Sequence, residues 1–361
     1  MKILEIVPQL SSGGGEYMAL NLSNELCKQH DVVLVTLFSL ENLGFYKKDL
    51  NPNLRVISLD KKYGKDYLLP FRLRKLIKEE KPEIVHVHLR AMQYVFYSAL
   101  TFRKAKYFET FHYHVRKGWP KGIDAIIRKI AYGMNLIHPV TISTASEKNY
   151  YEKYGKKADL VFNGRGVPED FAPSESVKQE FEDYRRNGRV LVHLARFSQV
   201  KRQDFMARVA GRLADKGYKF TLLMIGRIHE QGIADEVKKV GCPYIHLLGE
   251  KNNPLDYLNL ADSFCLCSSR EGMPMSLIEA LGMGAIPVCT PVGGVTDIIE
   301  DGVNGFLSRD ISEEAYYEAM ERFLKLSDSE IADMKTRVKN SYQPFSMTEC
   351  AKNYVKLFQS Y

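Results

Sequence analysis

The stretch SSREGMPMSLIEALGMGAIPVCTPVGG sets two carboxylates, Glu271 and Glu279, on either side of a turn into a helix. The apolar run DSFCLCSS reads as a buried strand ending in Arg270 and Glu271, and the helix begins after Pro274. Glu271, on the loop, can accept hydrogen bonds from hydroxyls. Glu279 lies among Leu277, Ile278, Ala280 and Leu281, where a carboxylate is costly to bury without a partner. A vicinal diol, as in a ribose, would satisfy it. The amides of Gly272 and Met273 suit a phosphate or sugar oxygens at the start of a helix. Pro274, Met275, Ser276 and Leu277 complete this candidate binding segment. Upstream, VLVHLARF is followed by Ser198-Gln199-Val200-Lys201-Arg202, so Arg196 and Lys201 share a strand-to-helix loop. A guanidinium offers a two-pronged grip and an ammonium a point charge, and a diphosphate matches both. Ordinary surface charge is the alternative for this pair.

The first half carries a second set. After the first strand come Ser11, Ser12, Gly13, Gly14, Gly15 and Glu16, then a helix. Glycines let the backbone approach a ligand, and free amides at a helix start attract an anion. This is neither GxGxxG nor a P-loop, and a tight strand-to-helix turn explains it equally well. His86 and His88 alternate along EIVHVHL, so both point to one face. No carboxylate or cysteine is evident beside them, which favours core or strand-end histidines over a metal pair. His112, in FETFHYHV, falls at the end of a strand and could orient a substrate hydroxyl or exchange a proton. His114 competes for that role.

The elements that must position these residues alternate. KILEIVP, VVLVTLF, LRVISL, EIVHVHL and KYFETFH read as strands in the first half; VLVHLARF, FTLLMIG, YIHLLG, DSFCLCSS and IPVCTPV in the second. Amphipathic stretches such as EYMALNLSNELCKQ and SEEAYYEAMERFLKL lie between them. Such alternation predicts an α/β chain of two doubly wound, Rossmann-like parallel-sheet domains, with ligands at the carboxyl ends of the strands and a cleft between the domains. The first domain is expected over residues 1–165 and the second over 166–345, with the boundary in VFNGRGVPEDFAPSESV. A last helix, about 346–361, follows Gln343-Pro344 and is expected to cross back onto the first domain.

Composition sets the outer limits. The chain has 361 residues, 45% hydrophobic and 26% charged, which excludes disordered and fibrous classes. No apolar run reaches the ~18–20 residues of a membrane span, and the short run containing Glu5 reads as a strand rather than a signal peptide. The six cysteines match no disulfide framework or zinc site and read as reduced core thiols. Residues 1–165 hold 27 Lys and Arg against 16 Asp and Glu, whereas the rest of the chain is net acidic. The basic residues cluster at Lys61-Lys62, Arg72/Arg74/Lys75/Lys78, Arg103/Lys104/Lys106, Arg116/Lys117/Lys121 and Arg128/Lys129, among Phe71, Trp119, Ile126 and Ile127. No nucleic-acid-binding motif is present, so an anionic membrane surface is the expected partner. A solvated helix face is the alternative.

Nearly the whole chain resembles the retaining glycosyltransferases of family 4, of GT-B fold. EGMPMSLIE resembles the family's E-x7-E motif, ARFSQVK its diphosphate-binding segment, SGGGE its N-terminal glycine loop, TFH the histidine near the reacting centre, and VFNGRGV the linker element. The family's usual Gly after the lysine is Arg202 here. The resemblance implies a nucleoside diphosphate sugar donor (UDP, GDP or ADP type) as substrate, with no cofactor and no metal. It implies that Glu271 contacts the donor sugar, Glu279 the ribose, and Arg196 and Lys201 the diphosphate. Gly13, Gly14, Gly15, Asn163, Arg227 and His112 are expected to line the rest of the site. The expected acceptor is a saccharide hydroxyl, on a lipid-linked or growing surface polysaccharide. The expected location is cytoplasmic, peripheral to the inner face of the membrane. A nucleotide-sugar epimerase would need no acceptor, and a non-catalytic binding subunit would never turn over. These are the alternatives.

Overall fold

The computed structural model describes residues 1–10, 13–40, 49–62, 64, 66–112, 122–168 and 170–361. Ser11, Ser12, His114, Arg116, Lys117, Trp119 and Lys121, named above, lie outside them. Contacts divide the chain into two units, Met1–Gly166 with Phe345–Tyr361, and Val167–Pro344.

The first unit contains the strands β1 (Lys2–Val7), β2 (Asp31–Thr36), β3 (Arg55–Ser58), β4 (Ile84–His88), β5 (Lys106–Phe111), β6 (His138–Thr141) and β7 (Asp159–Leu160). Its helices are α1 (Gly14–Leu26), α2 (Leu69–Glu80), α3 (Met92–Thr101), α4 (Gly122–Gly133) and α5 (Thr144–Tyr154). The strands pair in parallel in the order β3-β2-β1-β4-β5-β6-β7. Central strands such as KILEIV are almost continuously apolar because helices cover both faces of a parallel sheet. Leu4, Ile6, Val33, Val85 and Val87 are fully buried in that core. The chain leaves β3 for β4 by crossing from one side of β1 to the other. The β1/β4 edge is therefore the topological switch point of this sheet, where such folds bind ligands.

The second unit repeats the plan with β8 (Arg189–Leu194), β9 (Phe220–Ile225), β10 (Ile245–Gly249), β11 (Ser263–Leu266), β12 (Ile286–Cys289) and β13 (Phe306–Leu307). Its helices are α6 (Glu175–Arg185), α7 (Gln203–Asp215), α8 (Gln231–Lys239), α9 (Pro254–Leu260), α10 (Met275–Met283), α11 (Val295–Ile298), α12 (Glu313–Leu324) and α13 (Asp328–Asn340). The order β10-β9-β8-β11-β12-β13 puts its switch point between β8 and β11. The last helix, α14 (Met347–Gln359), belongs to the first unit and packs on α1. Gly164 crosses it closely: a Cβ there would lie 2.4 Å from Cys350 Cβ.

Three strands escape the sequence reading. β6 contains Pro139, and β7 and β13 have only two residues each, too short for an apolar pattern to show. All six cysteines are free thiols, four of them buried. Two of the expected surface cations are not at the surface. Arg128 is fully buried against Glu109, and Lys61 is buried with its Nζ donating to the carbonyls of Lys62 and Gly64.

Candidate active site

In the second unit, the candidate residues Lys201 and Glu271 follow β8 and β11, side by side at the switch point. Lys201, on the loop after β8, donates from Nζ to Glu271 Oε1 at 2.6 Å, on the loop after β11. Backbone bonds join these loops: Ser269 N donates to Val200 O at 2.9 Å, and the Cys267 thiol donates to Lys201 O at 3.3 Å. A lysine ammonium has three donors, so one in this pair leaves two for a phosphate. Arg196 is exposed and has no ion pair among the described residues. Its carbonyl accepts from Gln203 Nε2 at 3.1 Å, and Gln203 Nε2 also meets His193 Nε2 at 3.0 Å. His193 Nδ1 donates to Cys265 O at 2.9 Å. Burial holds this histidine down to about 4, so it is neutral and anchors the Arg196 loop from behind.

Glu271 is held from the far side by a loop that the sequence reading did not place at the site. A Cβ on Gly293 would lie 2.0 Å from Glu271 O, and Gly294 N donates to Gly272 O at 2.6 Å. The glycines of TPVGG signal such a close approach. Met273 and Pro274 are buried under the start of α10, Met275 and Ser276 are half-buried, and Leu277 is buried. Glu279, in the second turn of α10, is buried as expected. Arg227 is exposed after β9, with its carbonyl accepting from Phe197 N at 2.9 Å. Arg202, where the family has Gly, adopts the left-handed conformation (φ +56°) that favours glycine. Its guanidinium compensates by stacking 3.7 Å above the Phe205 ring and donating to Ile311 O at 2.8 Å.

In the first unit, Gly13 to Gly15 begin α1 just after β1, and His112 follows β5. A Cβ on Gly15 would lie 3.1 Å from His112 Cβ and 2.8 Å from Leu89 Cδ2, so the glycine turn and the histidine are in contact. Gly13 N donates to Glu16 Oε2 at 2.9 Å, which commits that amide to a side chain of the first turn of α1 rather than to a ligand. Asn163 is buried, in the segment after β7 that packs under α14.

His86 and His88 are buried core histidines, as expected, but the expectation that no carboxylate lies beside them needs correction. A carboxylate does lie beside them: Glu5, which β1 pairs directly across from His86. Its Oε2 accepts from His88 Nε2 at 2.6 Å, and its Oε1 lies 3.1 Å from His86 Nδ1. His86 Nε2 continues to Thr110 Oγ1 at 2.8 Å and Thr110 to the Tyr354 hydroxyl at 2.8 Å. These are hydrogen-bond separations. A zinc ion with bonds of about 2.0–2.1 Å would hold its donors roughly 3.3 Å apart, so the trio is closed on itself rather than shaped around an ion. Burial raises the Glu5 carboxyl, but the two imidazoles outweigh it and bring it down to about 2. Burial holds His88 down to about 4, despite Glu5. His88 Nδ1 then meets His112 Nε2 at 2.8 Å.

A model described as Glycosyltransferase Family 4 matches residues 12–170, and one described as Glycosyl transferases group 1 matches residues 188–326. The GalNAc-alpha-(1->4)-GalNAc-alpha-(1->3)-diNAcBac-PP-undecaprenol alpha-1,4-N-acetyl-D-galactosaminyltransferase of Campylobacter jejuni is 26% identical, over 99% of this chain and 98% of its own. The O-antigen biosynthesis glycosyltransferase WbnH of Escherichia coli is 28% identical, over 86% of this chain and 87% of its own. Anabaena HepE, solved in complex with UDP, has the same fold, with a TM-score of 0.83 at 15% identity and coverage of 100% of both chains. The two family matches follow one another in the order of the two sheets, and this glycosyltransferase belongs to family 4, with the GT-B fold.

Proposed function

We propose that this glycosyltransferase moves a sugar from a nucleoside diphosphate to a hydroxyl of a lipid-linked or growing surface glycan, with retention of anomeric configuration and without a metal ion. The observation that carries the donor side is the Lys201–Glu271 pair at the β8/β11 switch point. Departure of the diphosphate is the difficult step. Lys201 and Arg196 would stabilise its growing charge, the role a divalent ion has elsewhere. Glu271 would take hydroxyls of the sugar and Glu279 those of the ribose. From the first unit, His112 would meet a substrate hydroxyl, and the Gly14 and Gly15 amides would face an anion. Among the described residues no side chain stands out as a covalent nucleophile. We therefore favour attack on the face the diphosphate leaves, with its oxygen taking the acceptor proton. UDP sugars are the first donors to test, since a structural neighbour was solved with UDP.

The lipid-linked acceptor rests on two supports. One relative's name carries a diphosphate-undecaprenol glycan. The other is α4, which turns Ile123, Ile126 and Ile130 outward with exposures of 76%, 60% and 42%. Its opposite face buries Arg128, Ala131 and Tyr132. α3 packs against both α2 and α4, its Tyr97 ring meets that of the exposed Phe71 in a tilted pair, and Arg72, Lys75, Arg103 and Lys104 of the same unit are exposed. Apolar and cationic side chains together fit an anionic bilayer surface. No helix among the described residues is long and apolar enough to cross a membrane. We propose a peripheral enzyme on the cytoplasmic face.

The test is turnover with a panel of nucleotide sugars and a lipid-linked acceptor. Arg196→Ala and Glu271→Ala should each lower kcat by ~10²-fold or more, as the loss of a charge-stabilising contact commonly does. Folded variants that transfer at near-normal rates would refute the assignment. Loss of activity with a chelator would refute metal independence alone.

A further inference from the structure

The proposed chemistry uses His112 but none of the groups behind it. Glu5, His86 and His88 are completely buried at the β1/β4 switch point, where three ionisable side chains are expensive. Their hydrogen bonds have a polarity that follows from one fact: an ionised carboxylate only accepts. Glu5 therefore needs the proton of His88 on Nε2. A neutral imidazole has one N–H, so His88 Nδ1 is left as an acceptor. The atom 2.8 Å from it is His112 Nε2, which must then be the donor. That leaves the lone pair of His112 on Nδ1. This atom is buried and has no hydrogen-bond partner among the described residues. A buried acceptor with nothing to accept is costly, and a hydroxyl would satisfy it.

We propose that Glu5 and His88 are positioning residues that hold His112 as its Nε2–H tautomer, with the Nδ1 lone pair offered to a substrate hydroxyl. The proposal rests on the reading that His112 meets a substrate. The logic is that of a carboxylate orienting a catalytic imidazole, extended by one more ring. The ring of His112 is also fixed in plane: it lies 29° from the plane of the His88 ring that it meets edge to edge, and a Cβ on Gly15 would lie 3.1 Å from its Cβ. Neither the ring plane nor the proton is left to chance.

The experiment measures the tautomer directly. Side-chain 15N–1H correlation spectra of the full-length, histidine-labelled protein should show the His112 proton on Nε2. Glu5→Gln puts an amide that can both donate and accept in place of the carboxylate. His88 can then reverse, and His112 should become a mixture of tautomers. Transfer by this variant should fall about tenfold or more, mostly in kcat, as small misplacements of a reacting group do. Combined with His112→Ala, Glu5→Gln should cost nothing further. A proton on Nδ1 of His112 in the wild type overturns the proposal, as do additive losses in the double variant. Full transfer by His112→Ala would overturn the underlying reading of His112 and this proposal with it, a result distinct from the first two. The wild-type spectrum decides even if Glu5→Gln fails to fold.

Discussion

The buried histidines predict an unusual sensitivity to mild acid. His88 and His193 are each held down to about 4 by burial, from the ordinary 6.5, and burial holds His112 well below that value too. When the pH falls below 6.5, the unfolded chain takes up protons at these positions and the native chain does not. Stability is therefore complete above the unfolded value and is lost as the pH falls from 6.5 towards about 4. At about pH 5.5 each such histidine removes on the order of 1 kcal/mol, so His88 and His193 together remove roughly 2–3 kcal/mol, with His112 adding to it. That is a large part of a typical stability of ~5–15 kcal/mol. Glu5 does not contribute in this window. Its carboxyl is brought down to about 2 from 4.5, so its stabilisation is lost only below 4.5. Glu109, raised by burial despite Arg128, has the opposite sign and offsets part of the loss. The local reason is clearest at His193. Its Nδ1–H is committed to Cys265 O, and its Nε2 accepts from the amide of Gln203. A second proton would set two donors face to face. Gln203 cannot simply turn over, because its Oε1 accepts from Ser198 N and its Nε2 donates to Arg196 O. Urea unfolding followed by far-UV circular dichroism, from about pH 7.5 to about pH 5.5, measures the slope. His193→Gln should remove on the order of 1 kcal/mol of that dependence. A stability that changes by less than about 1 kcal/mol over this range would refute the reasoning.

Three further outcomes follow from other contacts. Arg128→Met strands the buried carboxylate of Glu109 and should cost ~3–5 kcal/mol, most of it recovered when Glu109→Leu is added. Urea titration of both variants checks this, and a single variant as stable as the wild type would show that the pair is not a buried charge pair. At Arg202 the left-handed backbone should make Arg202→Gly more stable than Arg202→Ala by ~1 kcal/mol, and the reverse order would deny the strain. Ile126→Glu with Ile130→Glu should abolish co-sedimentation with phosphatidylglycerol vesicles at low salt while leaving nucleotide binding intact; unchanged sedimentation would remove the membrane from the proposal.

The parts of this molecule that could be read from the sequence are those whose determinants are local. KILEIV and FTLLMI are almost continuously apolar because both faces of their sheets are covered, and the loops after β8 and β11 carry Lys201 and Glu271 within short, recognisable segments. Glu5 was illegible for the opposite reason. It is 81 residues from His86, and only the sheet order that inserts β1 beside β4 brings them together. α4 misleads differently. Its isoleucines at 123, 126 and 130 have helical spacing, but periodicity reports that a face is apolar, not which way it points. Here Arg128 faces the core, because Glu109 and Tyr132 supply it with buried partners, and the isoleucines face out.

The two units arrive at the same device by different residues. In each, a neutral imidazole stands one step behind a group proposed to touch the substrate: His193 behind Arg196 through Gln203, and His88 behind His112 directly. A neutral histidine suits that place because it offers one donor and one acceptor in a rigid ring. Once one end is fixed, by Cys265 O in one case and Glu5 in the other, the other end has a defined sense. A lysine or arginine would bring an uncompensated charge into the core, and a serine would rotate. The same property makes the device fail in acid, since a protonated ring has two donors and no sense. Loss of transfer and loss of stability should therefore run in parallel below about pH 6. An activity that outlasts the fold's acid weakening would mean that the imidazoles support the structure without orienting the chemistry.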